Sequence, residues 1–212
     1  MAESKELLTN GVAKLFNNTY LADAKIYIYK FELQAHSVVL SLHSEHFEKA
    51  FKSGFKEGAS KEFTFDDGSA HAYWRVFEYM YTGQYSVDPA DALNAEDDEE
   101  LMRDARVYVL ADYFFMAALK EYAFKRFQEQ IEKLWISESF VDCIREVYRT
   151  TNDDDKRMRD AVVQVAYSHV KELWPNKRFQ DLVQENGKFA VDLTATLIQK
   201  GVTATSSYDY GY

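Results

Sequence analysis

The feature that most limits what this chain can become is a change of hydrophobic period at His36. Before that residue, apolar side chains recur at every second position. Ile26 and Ile28 point one way while Lys25, Tyr27 and Tyr29 point the other, and Phe31, Leu33 and Ala35 share a face. A period of two is the signature of a strand with one buried side, and a link this short joins the runs 25–30 and 31–35 as a hairpin. From His36 to Lys52 the spacing becomes helical, with Leu40, Ser44, Phe47 and Phe51 on one stripe flanked by Val39 and Ala50. Phe63-Thr64-Phe65 returns to strand, Asp66-Asp67-Gly68-Ser69 turns the chain, and residues 70–81 resume a helix that Gly83 ends. Two prolines and eight glycines in 212 residues are too few turn formers for a sheet-rich protein. The fold class is therefore α+β and helix-dominated, a small sheet clad by helices.

The flanks extend this pattern. Leu7, Leu8, Val12, Leu15 and Phe16 give residues 4–17 one apolar helical face. Gly54 follows a break at Ser53 and suits a left-handed helix cap. Residues 84–100 hold Pro89 and the run Glu96-Asp97-Asp98-Glu99-Glu100, which reads as a solvated acidic loop whose end favours a helix N-terminus. Ala105, Val107, Tyr108, Leu110 and Ala111 nearly ring the next helix, and another covers about 116–134. Beyond 135 every pattern is helical. Phe140, Val141, Ile144, Val147 and Tyr148 form one stripe, and Met158 through Leu173 form a second that Asp153-Asp154-Asp155 opens and Pro175 follows. Phe179, Leu182 and Val183 predict a short helix capped by Gly187, and Phe189, Leu193 and Leu197 a last one stopped by Gly201. Residues 201–212 read as a disordered tail.

Composition narrows the function classes. A net charge of −10 opposes nucleic acid and anionic membranes. The lone cysteine, Cys143, excludes an internal disulfide framework and a cysteine-based zinc site, and it sits on an apolar stripe as a structural thiol. The first residues lack the basic and apolar regions of a signal peptide, and no apolar run reaches membrane-spanning length, so the expected location is the cytoplasm or nucleus. His43 and His46 are neighbours on one helix, but His36 would lie about 10 Å along the axis from His43, too far for one ion. His36 reads instead as a buried, hydrogen-bonded histidine at a helix start. The acidic clusters lack EF-hand spacing, Gly187-Lys188 lacks the rest of a phosphate loop, and no nucleophile elbow occurs. The expectation is no enzyme, no cofactor and no metal. Lys156, Arg157 and Arg159, interleaved with acids, read as charged surface.

Taken in order, the motifs resemble a BTB/POZ domain. Asp23 precedes the first strand, and Ala35-His36 ends the second and opens a helix. Ser44-x-x-Phe47 follows, then Phe55-Lys56-Glu57, Tyr81-Thr82-Gly83 and Leu110-Ala111-Asp112-Tyr113. The likeness divides the chain into a lead-in helix at 1–21, the BTB/POZ domain at 22–134 with its acidic loop at 86–100, a helical extension at 135–200 similar to a BACK region, and the tail. It resembles stand-alone fungal BTB proteins.

What the resemblance implies is an interaction adaptor without chemistry of its own. Family members dimerise through the N-terminal helix and the face near the acidic residue, which here means Leu7, Leu8, Val12, Phe16 and Asp23. Many bind a cullin N-terminal domain as substrate receptors of an E3 ubiquitin ligase and carry an apolar-x-Glu triplet. Phe55, Lys56 and Glu57 fit it, with Gly54 and Tyr85 alongside. The physics suits a contact, an aromatic entering an apolar pocket while a carboxylate fixes register. Transcription-factor members follow the histidine with Lys or Arg, where this chain has Ser37, so their charged pocket is expected to be incomplete. The expected partners are a second copy, a cullin and an unknown substrate protein. The alternative is a self-assembling or transcription-associated scaffold without cullin binding.

Overall fold

The computed structural model describes residues 9–53, 56–185 and 187–205. They form two compact units, 1–124 and 125–212. In the first, the helical segment 9–13 (α1) precedes strands β1 (Ala24–Ile28) and β2 (Phe31–Ala35). Helices α2 (Ser37–His43), α3 (Glu45–Lys52) and α4 (Lys56–Ser60) lead to β3 (Glu62–Phe65). Helix α5 (Ala70–Thr82), a 3₁₀ turn at Asp91–Leu93 and α6 (Glu100–Tyr113) follow. Helix α7 (Ala117–Leu134) carries the division between the units.

The sheet order is β2-β1-β3. β1 pairs antiparallel with β2, Ile26 facing Leu33, and parallel with β3, Ile26 facing Phe63. The parallel pair needs a long crossover, and β2 with α2–α4 supplies it. The period-two reading holds in the burial: Ala24, Ile26, Ile28, Leu33 and Ala35 are all buried. The core on this face is aromatic. Phe47 is fully buried, with ring centres 5.0 Å from Phe63, 5.2 Å from Phe114 and 5.9 Å from Phe77. Each such pair contributes about 0.5–1.5 kcal/mol beyond area burial.

The single helical stripe read from His36 to Lys52 is two helices. Ser44 lies between them with extended backbone (φ −139°, ψ 119°), caps α3 by accepting from the Phe47 amide, and donates its hydroxyl to the Phe114 carbonyl at 2.7 Å. A serine can satisfy the orphan amides of a new helix, so a 3.6-residue rhythm survives a physical break. Helix α5 follows the expected turn, with Ser69 capping it, and ends as expected at Gly83, whose φ of 73° is the left-handed turn that glycine adopts without steric cost.

The second unit contains α8 (Ser139–Thr150), α9 (Arg157–Ser168), α10 (Val170–Leu173), α11 (Lys177–Glu185) and α12 (Gly187–Thr205). Phe140, Ile144, Val147, Met158, Val162, Phe179, Leu182 and Phe189 are its core. Two glycine readings are corrected: Gly187 opens α12 rather than capping α11, and α12 continues through Gly201 to Thr205. Residues 206–212 of the expected tail lie outside the described residues. A third correction concerns Arg159. It is buried, donating to the Thr151 carbonyl at 2.7 Å and to Asp153 at 2.6 Å, so it is a satisfied interior cation rather than surface charge. Asp153 is thereby tied to the fold, its carboxyl held at about 2 by Lys188 first and Arg159 next. Among the described residues no helix is long and apolar enough to cross a membrane.

Candidate protein-interaction surface

The triplet lies where α3 hands over to α4. Helix α3 is charged according to its dipole, Glu45 and Glu48 in its first turn and Lys49 and Lys52 in its last, paired at 3.0 and 2.6 Å. Helix α4 is seated against its end. A Cβ built on the buried Gly58 would come within 2.1 Å of the Ala50 carbonyl oxygen and 2.8 Å of that of Ser53. Both obstacles are backbone, so only glycine lets α4 approach this closely. Gly54 and Phe55 lie outside the described residues, as do the side chains of Lys56 and Glu57, whose backbone opens α4. A cavity of about 660 Å³ adjoins this handover, lined among others by Tyr27, His46, Lys49, Gly58, Thr64 and Tyr113. Beside it Tyr113 and Phe115 are exposed, Phe115 with a left-handed backbone (φ 54°) and the Lys49 ammonium 5.5 Å from its ring centre. His46 packs against Tyr113, and burial lowers its pKa.

A second polar cluster surrounds Asp23. Its carboxylate accepts from the Ser37 amide at 2.7 Å, the Ser37 hydroxyl at 2.6 Å and the Lys61 ammonium at 2.5 Å. Burial opposes ionisation, but the Lys61 and Ser37 hydrogen bonds outweigh it and hold the carboxyl at about 2. The charge set expected to be incomplete at Ser37 thus has a cation, delivered by Lys61 from the residue before β3. Next to it, buried His36 caps β2 and opens α2. Its Nε2 lies 2.8 Å from the Tyr20 carbonyl, which can only accept, so Nε2 carries the proton. Nδ1 then accepts from the Tyr81 hydroxyl at 3.0 Å, and the Tyr81 oxygen accepts the His36 amide at 2.9 Å. Burial pushes the Tyr81 phenol up to about 12, keeping it a donor. The histidine is a structural clasp, as its position predicts. Around this cluster Tyr20, Leu21, Val38 and Leu42 are 64–78% exposed, an apolar surface with Val38 and Leu42 one turn apart.

The acidic run is not simply a solvated loop. Arg75, 2% exposed in the middle of α5, donates to Asp98 through two nitrogens at 2.5 and 2.7 Å and to the Ser86 carbonyl at 2.9 Å. His71, one turn earlier and equally buried, bonds Asp97. Burial alone would raise both carboxyls, yet the hydrogen bonds from Arg75 and His71 keep Asp98 and Asp97 below the ordinary carboxylate range. Asp98 is the counter-charge of buried Arg75 and Asp97 the hydrogen-bond partner of buried His71, on a helix face that would otherwise leave polar groups unpaired. Among the described residues no group of three or more His, Cys, Asp or Glu is placed to hold a metal ion.

Comparison with known proteins settles the family. The family model for the BTB/POZ domain matches residues 12–139, more than half of the chain. The chain belongs to the BTB/POZ family. It is 32% identical over 79 residues to a BTB/POZ domain-containing protein of Arabidopsis thaliana, covering 36% of this chain and 10% of that protein. It is 26% identical over 171 residues to Kelch repeat protein M-T9 of Myxoma virus, covering 78% of this chain and 28% of that one. The chain thus spans about a tenth and about a quarter of the length of these relatives.

Within this BTB/POZ fold the residues implied by resemblance are scattered in status. Leu7 and Leu8 lie outside the described residues. Val12 is partly exposed, and Phe16 is partly covered by its own chain, its ring 4.9 Å from Trp74 and 5.5 Å from Tyr81. Asp23 is exposed at the strand start. Tyr85 is not a surface group: it is 4% exposed, its hydroxyl bonds Asp104 and its ring packs on Tyr122. Sequence reasoning missed Lys61, whose link to Asp23 crosses 38 positions, and it missed Gly58. The pair His71 and Arg75 was legible in principle, because an arginine and a histidine at i, i+4 on an apolar helix need polar partners nearby when buried.

Proposed function

We propose that this BTB/POZ chain dimerises and acts as a substrate receptor of a cullin-RING E3 ubiquitin ligase, with no reaction of its own. The observation that supports the reading is the glycine-dependent seating of α4 against the end of α3, beside a cavity next to exposed Tyr113 and Phe115, at the place in the chain where the triplet occurs in the sequence. Dimerisation is supported by the exposed Tyr20, Leu21, Val38 and Leu42 next to Asp23. The helices of the second unit suit a BACK-like extension. Pull-down by an immobilised cullin N-terminal domain tests the reading. Retention of the chain is expected, and a chain that washes through contradicts it. Sedimentation at micromolar concentration is expected to give a two-chain mass, and a monomer would contradict dimerisation.

A second reading, a self-assembling or transcription-associated scaffold without cullin binding, is favoured by the Lys61–Asp23–Ser37 cluster, which supplies a buttressed charge pair at the proposed dimer face. It predicts the dimer mass together with no retention by cullin.

A further inference from the structure

A groove of about 770 Å³ lies between the β1–β2 turn and the loop after the 3₁₀ helix. It shares no lining residue with the α4 region. Its wall is apolar and small, with Ile28, Phe31, Ala70, Ala92, Leu93 and Ala95. The polar part of the lining is unbalanced: Asp66 and Asp97 are negative and Lys30 is the one cation among the described lining residues. The walls are held in place from within the fold. The Tyr29 hydroxyl donates to the Gly68 carbonyl at 2.6 Å, which fastens the hairpin turn to the Asp66–Gly68 turn, and the bond from His71 to Asp97 anchors the opposite loop. A preformed groove binds without an ordering cost at the moment of association.

The field in the groove has a sign. The Tyr29 phenol is pushed above its ordinary value, first by burial and then by Asp97, Asp67 and Asp66 together. Two carboxylates, Asp66 on one side and Asp97 on the other, therefore line the groove with Asp67 near the Tyr29 phenol, in a chain whose net charge is −10. An extended peptide places alternate side chains on opposite sides, so cationic groups can face the carboxylates while aliphatic ones meet Phe31 and Leu93. We propose that this groove docks a cationic, extended peptide segment of a partner protein. Charge complementarity chooses that occupant over an acidic or neutral one, and it sets orientation and encounter rate.

The test uses the full chain and a fluorescein-labelled hexapeptide of alternating lysine and valine, with glutamate in place of lysine as control. Saturable binding of the lysine peptide is expected, weakening as salt is raised. Asp66→Asn, at an exposed position, is expected to weaken it about three- to tenfold and Asp66→Lys further, while Lys30→Glu strengthens it by about the same factor. Amide shifts on titration should fall on residues 28–31, 66–70 and 92–97. Unchanged circular dichroism shows that each variant is folded. The proposal is overturned by equal binding across the variants, by equal binding of the glutamate peptide, by amide shifts confined to other acidic surfaces, or by no binding at millimolar peptide. Shifts of the same amides on concentrating the chain alone would put a second copy in the groove and overturn it as well.

Discussion

Replacing Asp98 by asparagine removes the partner of a buried cation while changing almost no volume. In the folded chain the Arg75 guanidinium is 2% exposed and meets both Asp98 oxygens, at 2.5 and 2.7 Å. Its remaining acceptors are neutral carbonyls, Ser86 at 2.9 Å and Val87 and Asp88 at 3.3 Å. Carbonyl dipoles offset only part of the cost of holding a full charge out of water. Breaking one side of a buried pair costs about 3–5 kcal/mol, because the other charge stays buried. Asp98→Asn is therefore expected to lower stability by about that amount in urea unfolding followed by far-ultraviolet circular dichroism. Hydrogen exchange is expected to accelerate first along 86–99 and the facing turn of α5. Glu96→Gln, in the same run but exposed, is expected to stay within about 0.5 kcal/mol of wild type. The pH dependence follows from the same pair. Asp98 titrates below its unfolded value, so its contribution is complete above about pH 4 and is lost as the pH falls through the folded value. The variant should lack that component of the acid slope. An Asp98→Asn chain as stable as wild type would refute the assignment of the acidic run to the interior.

Three further outcomes are expected. Tyr81→Phe deprives the His36 amide of its acceptor and Nδ1 of its donor, a loss of about 2–4 kcal/mol for two buried unpaired groups, and a loss under about 1 kcal/mol in urea unfolding would contradict the clasp. Gly58→Ala sets a methyl against two backbone carbonyls, so α4 must move; a stability loss of about 1–3 kcal/mol and reduced retention by cullin are expected, and an unaltered chain would show that α4 is not closely seated. The Asp23 carboxyl should titrate at about 2 by NMR, with its contribution to stability present above its unfolded value near 3.9 and lost as the pH falls through the folded one, and Lys61→Met should raise that midpoint; an unmoved midpoint would remove Lys61 from the cluster.

Local periodicity carried most of the fold. The hairpin was legible because Ile26, Ile28, Leu33 and Ala35 alternate with polar neighbours, and α5 because an apolar helical run follows the turn at 66–69 and ends at Gly83. Where local rhythm and a local cap disagreed, at Ser44, the rhythm misled, since a new helix in the same sense keeps the same stripe. Glycine was read as a stop at Gly187 and Gly201, whereas Gly187 opens α12, anchored by buried Phe189 and Leu193, and the helix runs on through Gly201 at a cost of about 1 kcal/mol. The surface was less legible because its decisive contacts are long-range. The Lys61 partner of Asp23 lies beyond three helices, and Asp97 and Asp98 appear solvated until His71 and Arg75 are seen to be buried beside them. The triplet at 55–57 was found by resemblance, whereas Gly58, which seats the helix that follows it, needed coordinates.

The adaptor account is tested most directly by titrating the cullin N-terminal domain into the full chain and comparing wild type with Phe55→Ala and Glu57→Ala. The account predicts saturable binding by wild type and a loss of about tenfold or more in each variant, as for the anchor of a small interface. Equal affinity in all three chains, or no binding by wild type, would contradict it.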